Sequence, residues 1–376
     1  MARLYAKNVS PSSRRYALWA RGSGTPEDSN SLPFIDRSER AAADSSGRLL
    51  FATAALVLAF AFASHAQAGQ AAGAKQRITT ASSVRVRSAP DTASEEVGRL
   101  QLGVIVEELE RSQEKATVGA GEDFWYMVSA PNGARGWVFG GLTAPFDAAR
   151  REEIYTRLVN ERLGNANATF ADSSELVRFA ERAAGEVARR DVRAELEFAR
   201  LRALALSIKF LAAGEQQSEP LKQWATAHDS EIVYSEPSGE WYVRAELFWG
   251  LQAKYKDLPL AERVAWEAAS TPLPGECEGD VTCNLYYLSE TSGRYLKLYP
   301  RGAHSADALK SLEETVNAVV EDSRSANHMY EVPPGTDADF TKTLATLRAQ
   351  LSPAATPRAA RVLKQLDAIA RLSRRR

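Results

Sequence analysis

Cysteine and histidine are the side chains that most often bind metals or attack substrates, and this 376-residue chain holds two of the first and four of the second. Cys277 and Cys283 form a close pair in a stretch rich in Gly, Glu and Asp, a setting that suits a mutual bond better than a nucleophilic thiolate at a helix start. His65, His228, His304 and His328 stand singly, without the H-E-x-x-H or H-x-H spacing that lets imidazoles share a zinc ion. The strained G-x-S-x-G elbow of serine hydrolases is absent as well. A lysozyme-type pair of carboxylates leaves no sequence signature, because only geometry makes the pair. The expectation is a protein with no catalytic residues, no metal and no cofactor, one that binds rather than reacts.

The elements that carry such binding are legible as blocks. Hydrophobic residues at 44% and charged residues at 25% are ordinary globular values, and a formal net charge of -1 gives no pull toward nucleic acid. Residues 1–48 lack periodicity and read as a disordered leader. Residues 49–68 contain the charge-free run Leu49 to Ser64 and end in Ala66-Gln67-Ala68, an A-x-A pattern, so they read as the hydrophobic part of a signal peptide. The alternative is an uncleaved single-pass anchor, which would make the protein a membrane-anchored sensor. Residues 69–76 form a Gly/Ala linker. Export to the periplasm or beyond puts Cys277 and Cys283 in an oxidising compartment, where a disulfide is the expected state.

From residue 77 to 145 the pattern turns to β-type. Short runs such as Val84-Arg85-Val86-Arg87, Val104-Ile105-Val106, Phe124-Trp125-Tyr126-Met127-Val128 and Trp137-Val138-Phe139 alternate with turn residues, and Asn132-Gly133 marks a hairpin. About five short strands predict a small barrel filled by a few aromatics. Val84-Arg85-Val86-Arg87-Ser88-Ala89-Pro90, Val97-Gly98 to Leu100, Gly103, Trp125-Tyr126 to Val128 and Gly136-Trp137-Val138 together resemble the bacterial Src-homology-3 domain, with Ala89 where that family usually has Gly. The resemblance implies a binding module for peptidoglycan or a peptide ligand, with Arg87, Tyr126 and Phe139 as candidate contacts. Trp125 and Trp137 are expected in or beside the core. The acidic stretch Glu114 to Asp123 exceeds the usual link between strands and reads as a mobile protrusion.

Residues 147–376 follow helical periodicity. The stripe Leu176, Phe179, Ala180, Ala183, Ala184 and Val187 is opened by Asp172-Ser173-Ser174-Glu175, which reads as its N-cap. Eight or nine helices in antiparallel neighbours predict an all-helical bundle or short α-solenoid. Gly293 to Leu309 resembles the helix-to-helix junction of tetratricopeptide-like repeats. Trp241, Tyr242, Phe248, Trp249 and Trp266 are expected in the core in preference to a groove. The terminal Arg371, Arg374, Arg375 and Arg376 suit a solvated helix end. The combined expectation is an exported, non-enzymatic binder: a barrel for wall or peptide, and a helical scaffold for an envelope protein. A peptidoglycan hydrolase is the alternative.

Overall fold

The computed structural model describes residues 75–213 and 217–371. The leader, the signal-peptide segment with His65, most of the linker, and Arg374 to Arg376 lie outside these residues. The first block is a curled antiparallel sheet, a half-barrel, and the second is helical.

Seven strands build the half-barrel: β1 (Gln76–Thr79), β2 (Val84–Arg87), β3 (Glu96–Leu100), β4 (Ile105–Val118), β5 (Gly121–Ser129), β6 (Arg135–Phe139) and β7 (Thr143–Phe146). Their order is β3-β2-β6-β5-β4-β1-β7, every pairing antiparallel. The inner face carries Val84, Val86, Leu100, Val106, Tyr126, Val128 and Val138, all buried. Alternation drives this, since a period of two puts every second β-branched residue on one side. The β5–β6 turn is the expected hairpin: Gly133 takes φ +84° and donates its N–H to Ala130 O at 2.9 Å.

The stretch Glu114 to Asp123 is no loose protrusion. It belongs to an ordered two-stranded arm in which Lys115 pairs with Phe124 and Val118 with Gly121, turning at Gly119 with φ +61°. The cations of this arm find a use: the Arg111 guanidinium lies 4.4 Å and the Lys115 ammonium 5.8 Å from the centre of the Phe124 ring.

Eleven α-helices follow among the described residues: α1 (Arg151–Leu163), α2 (Phe170–Glu186), α3 (Arg190–Ser207), α4 (Leu221–Ala227), α5 (Ala245–Lys254), α6 (Leu260–Ser270), α7 (Val281–Glu290), α8 (Ser292–Leu298), α9 (Ser305–Asp322), α10 (Asp337–Leu351) and α11 (Pro357–Ile369). The sequence reading of eight or nine fell short because α4 and α8 span seven residues each, too few to display a periodic stripe. Nor is the block all-helical. Strands β8 (Ile232–Ser235) and β9 (Glu240–Val243) form a hairpin between α4 and α5, turning through Gly239 at φ +68°. Helix α2 begins earlier than read: Thr169 is the N-cap and Asp172 the third helical residue, the two joined in a reciprocal capping box.

The pairs α2/α3 and α5/α6 are sequential hairpins, whereas α10 packs back on α7 and α11 on α9. In the carboxyl-terminal half α10 also touches α8, and α8 with α9 and α10 with α11 form two hairpins packed on each other, contacts shared by a bundle and by a short α-solenoid. The segment Gly293 to Leu309 does form a helix, turn and helix, α8 into α9. Its turn is tied to α6: Glu262 accepts from Tyr295 Oη at 2.9 Å and from the backbone N–H of Ala303, while the His304 ring stacks on Trp266 at 4.5 Å.

Candidate functional site

The half-barrel presents two different faces, and the positions read as ligand contacts divide between them. Arg87 pairs with Trp137 across β2 and β6, and Trp137 pairs with Met127 across β6 and β5. Paired residues on adjacent strands share a face, so Arg87, Trp137 and Met127 form one row on the side away from the buried Val138. All three are half-buried. Val97, 47% exposed, is the unpaired residue where β3 bulges against β2. The Arg87 guanidinium donates to Ser94 O at 2.6 Å, which fixes it beside the row.

Phe139 lies two residues beyond Trp137 on the same side, yet it is 5% exposed, set edge-on against Trp125 at 5.6 Å. Trp125 is equally covered, and its Nε1–H is buried without a hydrogen-bond partner. Tyr126 points to the opposite, inner face, where the Arg77 guanidinium sits 3.6 Å from its ring centre. The structure thus brings Arg87 and Phe139 onto one face and puts Tyr126 on the other. It adds Trp137 and Met127, which sequence reasoning assigned to the core or passed over. The available signal was period two: Trp137 alternates with Val138 and Met127 with Val128.

The inner end of the half-barrel is built to meet the helices. Ile78, Leu102 and Phe146 belong to the same buried cluster as Tyr155 and Phe179. Tyr155 stands between Phe146 at 6.3 Å and Phe179 at 5.3 Å. Glu175 of α2, 6% exposed, accepts from Ser83 N at 3.3 Å, Ser83 Oγ at 2.8 Å and Leu102 N at 2.8 Å. Burying a carboxylate is costly, and three donors from two barrel turns offset that cost. Ser83 takes φ +51°, a left-handed conformation unusual for a residue with a side chain, and Glu175 holds it from two atoms. Arg182 completes the contact by donating to Leu102 O at 3.0 Å.

Titration here follows burial. The Tyr155 phenol is pushed well above its usual range by burial and by donating to the Glu186 carboxylate at 2.5 Å. Burial acts to raise the Asp172 carboxyl, but hydrogen bonds from Thr169 and the Arg162 charge outweigh it and hold the group below its ordinary value. Cys277 and Cys283 are joined in a disulfide at the entry to α7, where Asp280 caps the helix by accepting from Thr282 N at 2.7 Å and Cys283 N at 3.2 Å. His228 stacks on Trp224 at 4.3 Å, as His304 does on Trp266. Phe248 and Trp249 are buried, and Trp241, Tyr242 and Trp266 half-buried. Among the described residues no cluster of His, Cys, Asp and Glu is disposed to hold a metal ion, and no helix is long and apolar enough to cross a membrane.

These features place the first block among small curled-sheet half-barrels. Residues 82–144 match the bacterial SH3 domain family. Comparison with curated proteins and with solved structures gives no match for the chain.

Proposed function

We propose that this protein is an exported, non-enzymatic binder whose SH3 module engages cell-wall peptidoglycan or a peptide ligand, while its helices act as a scaffold for an envelope protein. The observation that carries the reading is the row Arg87, Trp137 and Met127 on the free face of a module that matches a family of binding domains. A half-buried indole beside an immobilised guanidinium offers an apolar platform and a charge-assisted donor together, as recognition of a peptide or an amino-sugar polymer needs. The disulfide between Cys277 and Cys283 supports an oxidising compartment. The absence of nucleophile and metal motifs favours binding over hydrolysis.

The test is co-sedimentation of the purified full chain with peptidoglycan sacculi, beside Trp137→Ala and Arg87→Gln. The reading expects retention of the parent protein and a loss of about tenfold in each variant, in line with a truncated contact worth about 1.4 kcal/mol. Unimpaired retention of both variants would reject this face. Clearing of peptidoglycan in a zymogram would replace the binder with a hydrolase.

A further inference from the structure

An open groove of about 660 Å³ runs along the helical region, floored by α3 and walled by α2 and α5. Arg193, Glu197 and Arg200 line it from α3 at positions i, i+4 and i+7, one face of that helix. Its apolar lining includes Leu201 from α3 and Leu251 from α5. Two properties set the groove apart.

The first is a pair of exposed glycines facing it from opposite walls, Gly185 on α2 and Gly250 on α5. Glycine in the interior of a helix, as at Gly250, is disfavoured relative to alanine, whereas Gly185 is the penultimate residue of α2. At both positions a Cβ would meet nothing within 4 Å, so packing inside the chain does not demand a bare backbone. A bare backbone at two facing points admits something that must approach both walls closely.

The second is the distribution of charge. The groove's carboxylates are already paired: Glu231 with Arg200 at 2.7 Å, Glu181 with the same guanidinium at 3.6 Å, and Glu197 with Lys254 at 2.6 Å. Arg193 differs. It donates one bond, to Val187 O at 2.8 Å; its Nε is buried without a partner, and no described carboxylate lies within ion-pair distance of it. With no carboxylate partner in a groove whose acids are engaged, the remaining terminal nitrogen of this guanidinium can donate to an anion from outside.

We infer that this groove is a second binding site, for a peptide segment that bears a carboxylate opposite Arg193 and small side chains where it passes between Gly185 and Gly250. The inference rests on the scaffold half of the function proposed above and is independent of the barrel face. Its test is selection of random 12-residue peptides displayed on phage against immobilised full-length protein, with Gly250→Leu, Arg193→Gln and Trp137→Ala proteins panned in parallel. The groove expects acidic peptides to be enriched on the parent and on Trp137→Ala but lost on Gly250→Leu. A synthetic copy of the leading peptide should bind at least tenfold more weakly to Arg193→Gln, and to the copy's Glu-to-Gln counterpart likewise. Gly250→Ala should raise the melting temperature by about 1–2 °C while weakening the peptide, a pairing that a merely structural glycine does not produce. Should Gly250→Leu fail to fold, Gly185→Gln takes its place. Peptides that are retained on Gly250→Leu but lost on Trp137→Ala belong to the barrel and overturn the groove; so does the absence of any Gly250-dependent enrichment.

Discussion

Gly103 is where the conformational needs of a barrel turn and the packing of a helix meet, and replacing it with alanine should damage both. Its φ of +74° is left-handed, which costs an L-residue roughly 1–2 kcal/mol. A Cβ there would lie 2.1 Å from Cδ2 and 2.3 Å from Cε2 of Phe179, so the ring must move. That ring is 1% exposed and already held edge-on by Tyr155, and forcing extra volume into such a site typically costs about 1–3 kcal/mol. Gly103→Ala should therefore lose about 2–5 kcal/mol. Gly119→Ala is the control: φ is +61° but nothing lies within 4 Å, so only the conformational part applies. Urea unfolding read by indole fluorescence and by far-ultraviolet circular dichroism measures both, and the two signals should shift together because the barrel turn and α2 share one core. Phe179→Leu in the Gly103→Ala background should recover part of the loss by opening space. Equal effects of Gly103→Ala and Gly119→Ala, or two signals whose midpoints separate in Gly103→Ala, would refute the reasoning.

Three further outcomes follow from the same contacts. Glu175→Gln should cost about 1–3 kcal/mol, since an amide cannot accept from all three barrel donors as the carboxylate does; the urea midpoint measures it. The Tyr155 phenol is raised in the folded chain, so its stabilising share is complete below the usual tyrosine pKa of about 10 and declines as pH climbs past it; the alkaline fall in midpoint should shrink in Tyr155→Phe. Replacing Cys277 and Cys283 by serine should cost about 2 kcal/mol, the chain-entropy value for so short a loop, and should raise amide exchange at the start of α7 ahead of the barrel.

The half-barrel was legible because its signals are local. Val84 and Val86, Tyr126 and Val128, and Asn132-Gly133 each declare a strand face or a turn within a few residues, and the spacing of Trp125 and Gly136-Trp137-Val138 is shared with the matched family. The long helices α2, α3, α9, α10 and α11 were legible for the same reason, a 3.6-residue stripe sustained over several turns. What escaped were elements too short for periodicity, α4, α8 and the β8–β9 hairpin, and the length of the β4–β5 arm. That arm is polar on both faces, so its sequence has the composition of a loop although cross-strand pairing makes it a ladder.

Candidate binding residues divide by the same rule. Residue types alone nominated Arg87, Tyr126 and Phe139, while strand pairing and burial decided which share a face, and put Trp137 and Met127 in the row with Arg87. Glu175 and Gly103 carry a function no local pattern announces, since their partners Ser83 and Phe179 lie more than seventy residues away. The groove over α3 is likewise a product of assembly: Gly185, Arg193 and Gly250 come from three helices, and only their packing brings two bare backbones and one unpaired guanidinium to a common surface. By itself the sequence determined the local elements and the likeness of one block to a binding module. The tertiary structure decided which polar groups are satisfied, because a hydrogen bond or ion pair depends on distances between elements, and those distances are set by the shared core.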